Sequence, residues 1–191
     1  LRPGWPGYIM RRIIHVSDLH FGTEEPDVVE GLLVDIQQHP AHLLAVSGDL
    51  TQRARRGQFA AARAFLERIA LPRLIVPGNH DIPLYNVLAR FGWPLHAYRR
   101  LITDDLLPRL QDDEIAVAGV NTARPNRWKD GCISAEQIEA LRQHFAAQPA
   151  GVSKVLVAHH PFIPPERDAR ATLVEGAAQA LRVLEACGCH L

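Results

Sequence analysis

Four short apolar runs in this chain each end in side chains of the kind that bind metals or move protons. Ile13-Ile14-His15-Val16 leads into Asp18-Leu19-His20, and Leu43-Leu44-Ala45-Val46 into Ser47-Gly48-Asp49-Leu50-Thr51. Leu74-Ile75-Val76 leads into Gly78-Asn79-His80-Asp81, and Lys154-Val155-Leu156-Val157-Ala158 into His159-His160-Pro161. Short runs rich in β-branched residues predict buried strands, and the Gly and Pro beside them predict tight loops. Amphipathic segments separate the first three runs. Residues 27–38 carry Val28, Leu32, Leu33 and Ile36 at helical spacing, and residues 58–69 carry Phe59, Ala62, Phe65, Leu66 and Ile69. Strand, polar loop and helix in repetition make a sheet of parallel strands covered by helices. In such sheets ligands sit beyond the carboxyl ends of the strands, so these loops are expected to share one edge.

The rest of the chain is less regular. Residues 86–100 predict a helical turn or two, interrupted by Gly92 and Pro94. Residues 106–111 and 114–120 read as a hairpin about Asp112-Asp113, giving a mixed or second sheet. Ser134 and Gln137 predict a capping box for a helix to about residue 148, and Thr172 and Glu175 a second box for a helix over 173–187. The first ten residues, with Pro3, Gly4, Pro6 and Gly7, lack periodicity and an apolar signal segment, so 1–10 is expected to be a disordered extension and 11–191 the domain.

Charge and cysteine usage narrow the function classes. Lys+Arg and Asp+Glu both number 21, so no basic footprint points to nucleic acid as a partner. No run is long enough to cross a bilayer. Cys132, Cys187 and Cys189 form no disulfide framework, which suits reduced thiols in a cytoplasmic protein.

The polar loops offer Asp18, His20, Asp49, Asn79, His80, Asp81 and His159. These are oxygen and nitrogen donors without a thiolate, a set that suits divalent Mn, Fe or Zn. Each alone also fits an ordinary polar turn; the ordered set carries the argument. Asp49 is the central carboxylate, able to bridge two ions about 3.5–4 Å apart. His159 leaves its strand first and is preferred to His160 as a ligand. His160 is then expected to touch substrate or to pack under Pro161. Among the other histidines, His15 reads as a core or interface residue, and His39, His42 and His144 as solvated. His96 lies where it can border the pocket. Arg124, Arg127 and Trp128 sit on a loop that can grip a phosphate or a base.

These motifs, in this order, resemble the calcineurin-like metallophosphoesterases. The family signature runs Asp-x-His, Gly-Asp, Gly-Asn-His-Asp, a lone His and Gly-His-x-His; Asp18-Leu19-His20, Gly48-Asp49, Gly78-Asn79-His80-Asp81 and His159 match its first four parts. Ser17-Asp18-Leu19-His20-Phe21, Gly48-Asp49-Leu50-Thr51 and Asn121-Thr122-Ala123-Arg124 are most similar to the bacterial cyclic-nucleotide phosphodiesterase branch. The resemblance implies a four-layer α/β/β/α sandwich of two mixed sheets flanked by helices. It implies that Asp18 and His20 hold one divalent ion, Asn79 and His159 a second, and Asp49 both. His80 becomes the general acid and Asp81 the residue that orients it. The implied reaction is hydrolysis of a small phosphodiester, a cyclic nucleotide being one form, by a bridging metal-bound hydroxide. A phosphomonoesterase or broad phosphoesterase is the alternative within enzymes, and a non-catalytic binding domain the alternative outside them. The closing Gly-His-x-His has no counterpart before Leu191, so the resemblance also implies a chain truncated at its C-terminal end, lacking one strand and one protein ligand for each ion.

Overall fold

The computed structural model describes residues 11–166 and 170–189. The expectations for residues 1–10 and for the chain end at His190 and Leu191 lie outside the described residues.

The first half forms β1 (Ile13–Val16), α1 (Pro26–Gln38), β2 (Leu43–Ser47), α2 (Arg56–Glu67) and β3 (Arg73–Val76). These strands make a sheet in the order β1-β2-β3, parallel at both pairings. Each crossover is a helix, so neighbouring strands must run the same way. A short 3₁₀ turn, Asn79–Asp81, follows β3 directly. Then come α3 (Val87–Gly92) and α4 (His96–Leu101), the interrupted helical turns expected there. β4 (Arg109–Gln111), β5 (Ile115–Val120), α5 (Ala135–Ala146), β6 (Ser153–Ala158) and α6 (Ala177–Ala186) complete the chain. The second sheet has the order β4-β5-β6 and is mixed, because the β4–β5 hairpin is antiparallel while α5 returns β6 parallel to β5.

Alternation along the strands sets the four layers. On β2, Leu44 and Val46 join Phe59, Phe65 and Leu66 of α2 and Leu33 and Ile36 of α1 in one core. Leu43 and Ala45 point the other way, meeting Leu74 and Val76 of β3 and Ile115, Val117 and Val157 of the second sheet. Ala116, Ala118 and Val120 of β5 turn to Leu141 and Phe145 of α5 and Leu184 of α6. Period-two strands thus feed three apolar cores, and the expected α/β/β/α sandwich results, except that among the described residues only the second sheet is mixed; the first is parallel because both of its crossovers are helices.

One local expectation gives way to tertiary pairing, and two histidines lie elsewhere than expected. Ser134 does cap α5, accepting from the Gln137 N–H at 3.2 Å. The Thr172–Glu175 box does not form, and α6 begins only at Ala177 behind a left-handed Gly176. Val174 N–H donates to Pro161 at 2.9 Å, and Glu175 pairs with Cys132 in an isolated parallel bridge. That pairing holds the segment extended, which a helical turn cannot share. His144, expected in solvent, is buried on the inner face of α5 with Leu141 and Phe145. His15, expected as a core or interface residue, is exposed on β1, with its Nε2 2.7 Å from Ser47 Oγ. The three cysteines are free.

Candidate metal centre

Every one of the polar loops emerges at the carboxyl end of its strand. β1 delivers Asp18 and His20, β2 delivers Asp49, β3 delivers Asn79, His80 and Asp81, and β6 of the other sheet delivers His159. Their ligand atoms form a chain. Asp18 Oδ1 lies 3.5 Å from His20 Nε2, which lies 3.8 Å from Asp49 Oδ2. Asp49 Oδ2 lies 3.5 Å from His159 Nε2, which lies 3.2 Å from Asn79 Oδ1. Asp49, 4% exposed, is the middle member, and its other oxygen accepts the His80 backbone N–H at 2.8 Å. One carboxylate oxygen is therefore oriented by backbone and the other faces the donors.

The backbone is held in unfavourable shapes to achieve this. Asp18, His20 and Asp49 adopt φ of 57°, 46° and 50°, three of the four positive values among described non-glycine residues. Strain of this kind, about 1–3 kcal/mol each, persists where the surroundings over-determine a functional site. Two glycines make room. A Cβ on Gly78 would sit 2.1 Å from Asp49 Oδ1, and one on Gly48, at φ 93°, would meet both Gly78 and the His159 ring at 2.8 Å.

Histidine tautomers follow from their partners. His159 Nδ1 lies 2.8 Å from the Ser47 carbonyl, which only accepts, so Nδ1 carries the proton. Nε2 is then left among the oxygens of Asp49 and Asn79. Lone pairs converge there unless a cation, a proton or a metal ion, lies between them. Burial opposes a charge on His159, but the hydrogen bond and charge of Asp49 prevail and lift it to about 9. Against its own burial, Asp49 is in turn held below the usual carboxylate range by His159 and by the His80 N–H. The ligand atoms of Asp18, Asp49 and His159 lie within 4.8 Å of one another, as do those of His20, Asp49 and His80. The residues present therefore fit a divalent-metal site, with nitrogen and oxygen donors crowded about one buried carboxylate.

Asp81 does not orient His80. It is buried and accepts four hydrogen bonds: Thr51 N–H and Thr51 Oγ1, both at 3.0 Å, Gly78 N–H at 3.0 Å and Leu50 N–H at 3.2 Å. It thus ties the Asp49 loop to the Asn79 loop. Burial first, with the Asp49 charge adding, pushes it up to about 6 against its backbone donors. The orienting partner of His80 is the Gln52 carbonyl, 3.0 Å from Nδ1. His160 lies behind His159 with ring centroids 4.8 Å apart, and its Nδ1 is 2.7 Å from Thr122 Oγ1. It is buried, and it borders a cavity with Pro161 and Phe162. Burial and the neighbouring His159 push it down to about 4. Arg124 is likewise engaged, donating to the Asn121 and Ala123 carbonyls and to Gln137 Oε1. Its guanidinium braces the loop against α5, and the residue also lines a cavity of about 370 Å³ with His96 and Pro125. Arg127 pairs with Glu175.

A cleft of about 220 Å³ opens beside Asn79 and His80, walled by Gln52, Arg53, Leu84, Trp128 and Lys129. Arg53 and Leu84 also wall a larger cavity of about 770 Å³ that His96 borders. Gln52, Lys129 and Arg90 carried no sequence signal. Arg90, 3% exposed, donates to the carbonyls of Pro83, Pro125 and Arg127 at 3.1, 2.6 and 2.8 Å and stacks 4.9 Å from the Trp128 ring centroid. It pins the loop that brings Trp128 and Lys129 to His80.

Two packed sheets between helices, with a donor cluster where their strand tips meet, define a class of α/β protein with a metal-binding edge. The chain belongs to the calcineurin-like phosphoesterase family, whose model matches residues 11–185. Among solved structures it is similar to a purple acid phosphatase from yellow lupin (Lupinus luteus) seeds, at 15% identity and a TM-score of 0.61, over 81% of this chain and 31% of that one. It is also similar to the protein TT1561 of Thermus thermophilus, at 15% identity and a TM-score of 0.57, over 93% of this chain and 77% of that one. This chain thus spans about a third of the length of the lupin phosphatase, and the likeness at this identity is one of fold. No curated protein matches. No helix among the described residues is long and apolar enough to cross a membrane.

Proposed function

We propose that this chain hydrolyses phosphodiesters with two divalent ions, Mn, Fe or Zn, held about Asp49. One observation carries the reading: Asp49 Oδ2 stands between His20 Nε2 at 3.8 Å and His159 Nε2 at 3.5 Å. Asp18 and His20 would hold one ion and Asn79 and His159 the other, with Asp49 placed to serve both. Such ions supply charge neutralisation at the phosphoryl oxygens and a more acidic bound water. The protein's own groups do the rest. As an imidazolium, His80 keeps its Nδ1 proton on the Gln52 carbonyl and gives its Nε2 proton to the departing oxygen, ending as the neutral Nδ1–H tautomer. Lys129, in the lining of the same cleft, offers a cation to the substrate phosphate.

A diester is favoured over a monoester because a larger space, able to take a second ester group, lies beside the His80 cleft, with Arg53 and Leu84 in the lining of both. A nucleotide, cyclic or open, is the substrate class in view. The test compares bis(p-nitrophenyl) phosphate with p-nitrophenyl phosphate in Mn²⁺. The expected kcat/KM favours the diester by at least about tenfold, a difference of roughly 1.4 kcal/mol in transition-state binding. Equal or reversed values make the protein a monoesterase or broad phosphoesterase. No turnover of either ester, with metal shown to be bound, makes it a binding domain.

A further inference from the structure

The larger cavity is not accounted for by the chemistry at His80. Arg53, Arg55, Arg56 and Arg100 all line it, and no acidic side chain does. Other arginines on this molecule find carboxylates: Arg63 pairs with Glu67, Arg68 with Glu30, Arg99 with Asp104 and Arg142 with Glu139. None of the four at the cavity has such an ion pair among the described residues; Arg53 instead donates to the Gln52 carbonyl and lies 5.8 Å from the Tyr85 ring centroid. Two of them also break a local rule. Arg55 and Arg56 stand at the N-terminal end of α2, where the helix dipole favours acids and disfavours guanidinium. A local preference broken without a compensating partner marks a functional position. Between the charges, the walls are apolar and aromatic, with Tyr85 75% and Trp93 69% exposed. A volume of about 770 Å³ suits a ligand of nucleotide size.

We propose that this cavity receives the leaving group of the substrate, and that this group is a ring system bearing a second anion, as in a nucleotide ending in a phosphate. The assignment rests on the reading of His80 as the leaving-group acid, since Arg53 and Leu84 are the walls the two spaces share. Rings lie against Tyr85 and Trp93, and the anion meets Arg56 and Arg100. A cyclic mononucleotide has one phosphate and leaves these arginines without a partner. The cavity therefore selects an open, nucleotide-bearing diester.

Calorimetric titration in EDTA tests this with the metal site out of play. Adenosine 5′-monophosphate is expected to bind at least about tenfold more tightly than adenosine, the size of one charge-assisted contact. The preference should vanish in the Arg56→Ala/Arg100→Ala variant and largely survive in Arg56→Lys/Arg100→Lys, whose circular dichroism controls for folding. Equal binding of nucleotide and nucleoside, or inorganic phosphate binding as tightly as the nucleotide, overturns the proposal. So does a preference unmoved by the alanine pair. In Mn²⁺ the 5′-phosphorylated dinucleotide pApA should exceed ApA in kcat/KM by a similar factor. Hydrolysis of bis(p-nitrophenyl) phosphate without any nucleotide preference would sink the cavity assignment alone. Nucleotide preference without hydrolysis of any diester would sink the catalytic reading alone.

Discussion

His159 Nδ1 meets the Ser47 carbonyl at 2.8 Å across 112 residues of sequence and across the boundary between the two sheets. The bond fixes which nitrogen faces Asp49, and it makes the donor cluster depend on how the sheets are packed.

Metal binding should therefore compete with a proton. A ligating Nε2 must be bare, and Asp49 keeps it protonated up to about pH 9 despite burial. Apparent affinity for the ion at Asn79 and His159 is expected to rise about tenfold per pH unit between pH 7 and 9, with close to one proton released as that ion binds at pH 7. Calorimetry in buffers of different ionisation enthalpy measures that proton. In the metal-free chain the sign is opposite. A raised folded-state value stabilises fully below the ordinary 6.5 and is lost as pH rises through about 9. Affinity flat across this range would remove His159 from the ligand set.

His80→Asn should lower kcat by about 10²–10³ and leave the number of bound ions unchanged. The ligand atoms of His80, His20 and Asp49 are close enough to share an ion as well. Loss of one ion on metal analysis of the variant would assign His80 to the metal instead of the proton.

Asp81→Asn should destabilise the chain by roughly 2–4 kcal/mol, since an amide offers one acceptor atom where the carboxylate serves four donors. Because the clamp joins the Asp49 and Asn79 loops, metal affinity should fall with it. Urea unfolding and metal titration read the two effects, and a variant matching the parent in both would show the clamp to be dispensable.

Arg90→Met keeps the apolar stem but strands three carbonyls. A loss of about 3 kcal/mol in chemical denaturation is expected, with Trp128 emission shifting as its loop loosens. An unshifted spectrum would mean that the loop is held by other contacts.

His144 gives a pH dependence distant from the site. Burial, with Arg109 nearby, holds it below its ordinary 6.5, so the unfolded chain takes up a proton first as pH falls. Its contribution is complete above pH 6.5 and is lost below that value. His144→Leu should flatten the stability–pH curve between pH 6.5 and 5. The same slope in both proteins would place the sensitivity elsewhere.

Of the site, Asp18, His20, Asp49, Asn79 and His159 were legible in the chain because each follows a short apolar run. Runs of that kind report a buried strand whatever surrounds them. The cavity arginines Arg55 and Arg56 acquire meaning only once α2 and the space beside it are in place. His144 was misread because its neighbours Leu141 and Phe145, not its own polarity, decide which face of α5 is buried. Glu175 was misread because a remote strand partner at Cys132 prevails over a local cap.

Sequence alone settled the order of strands and helices, and with it which donors would stand at strand tips, because periodicity and turn chemistry are local properties. Only the tertiary structure assigned Asp81 to the Asp49 loop, His80 to the Gln52 carbonyl and Arg90 to the loop behind Trp128. Those partners are mostly backbone groups, identical in every residue, and their positions follow from how distant layers pack.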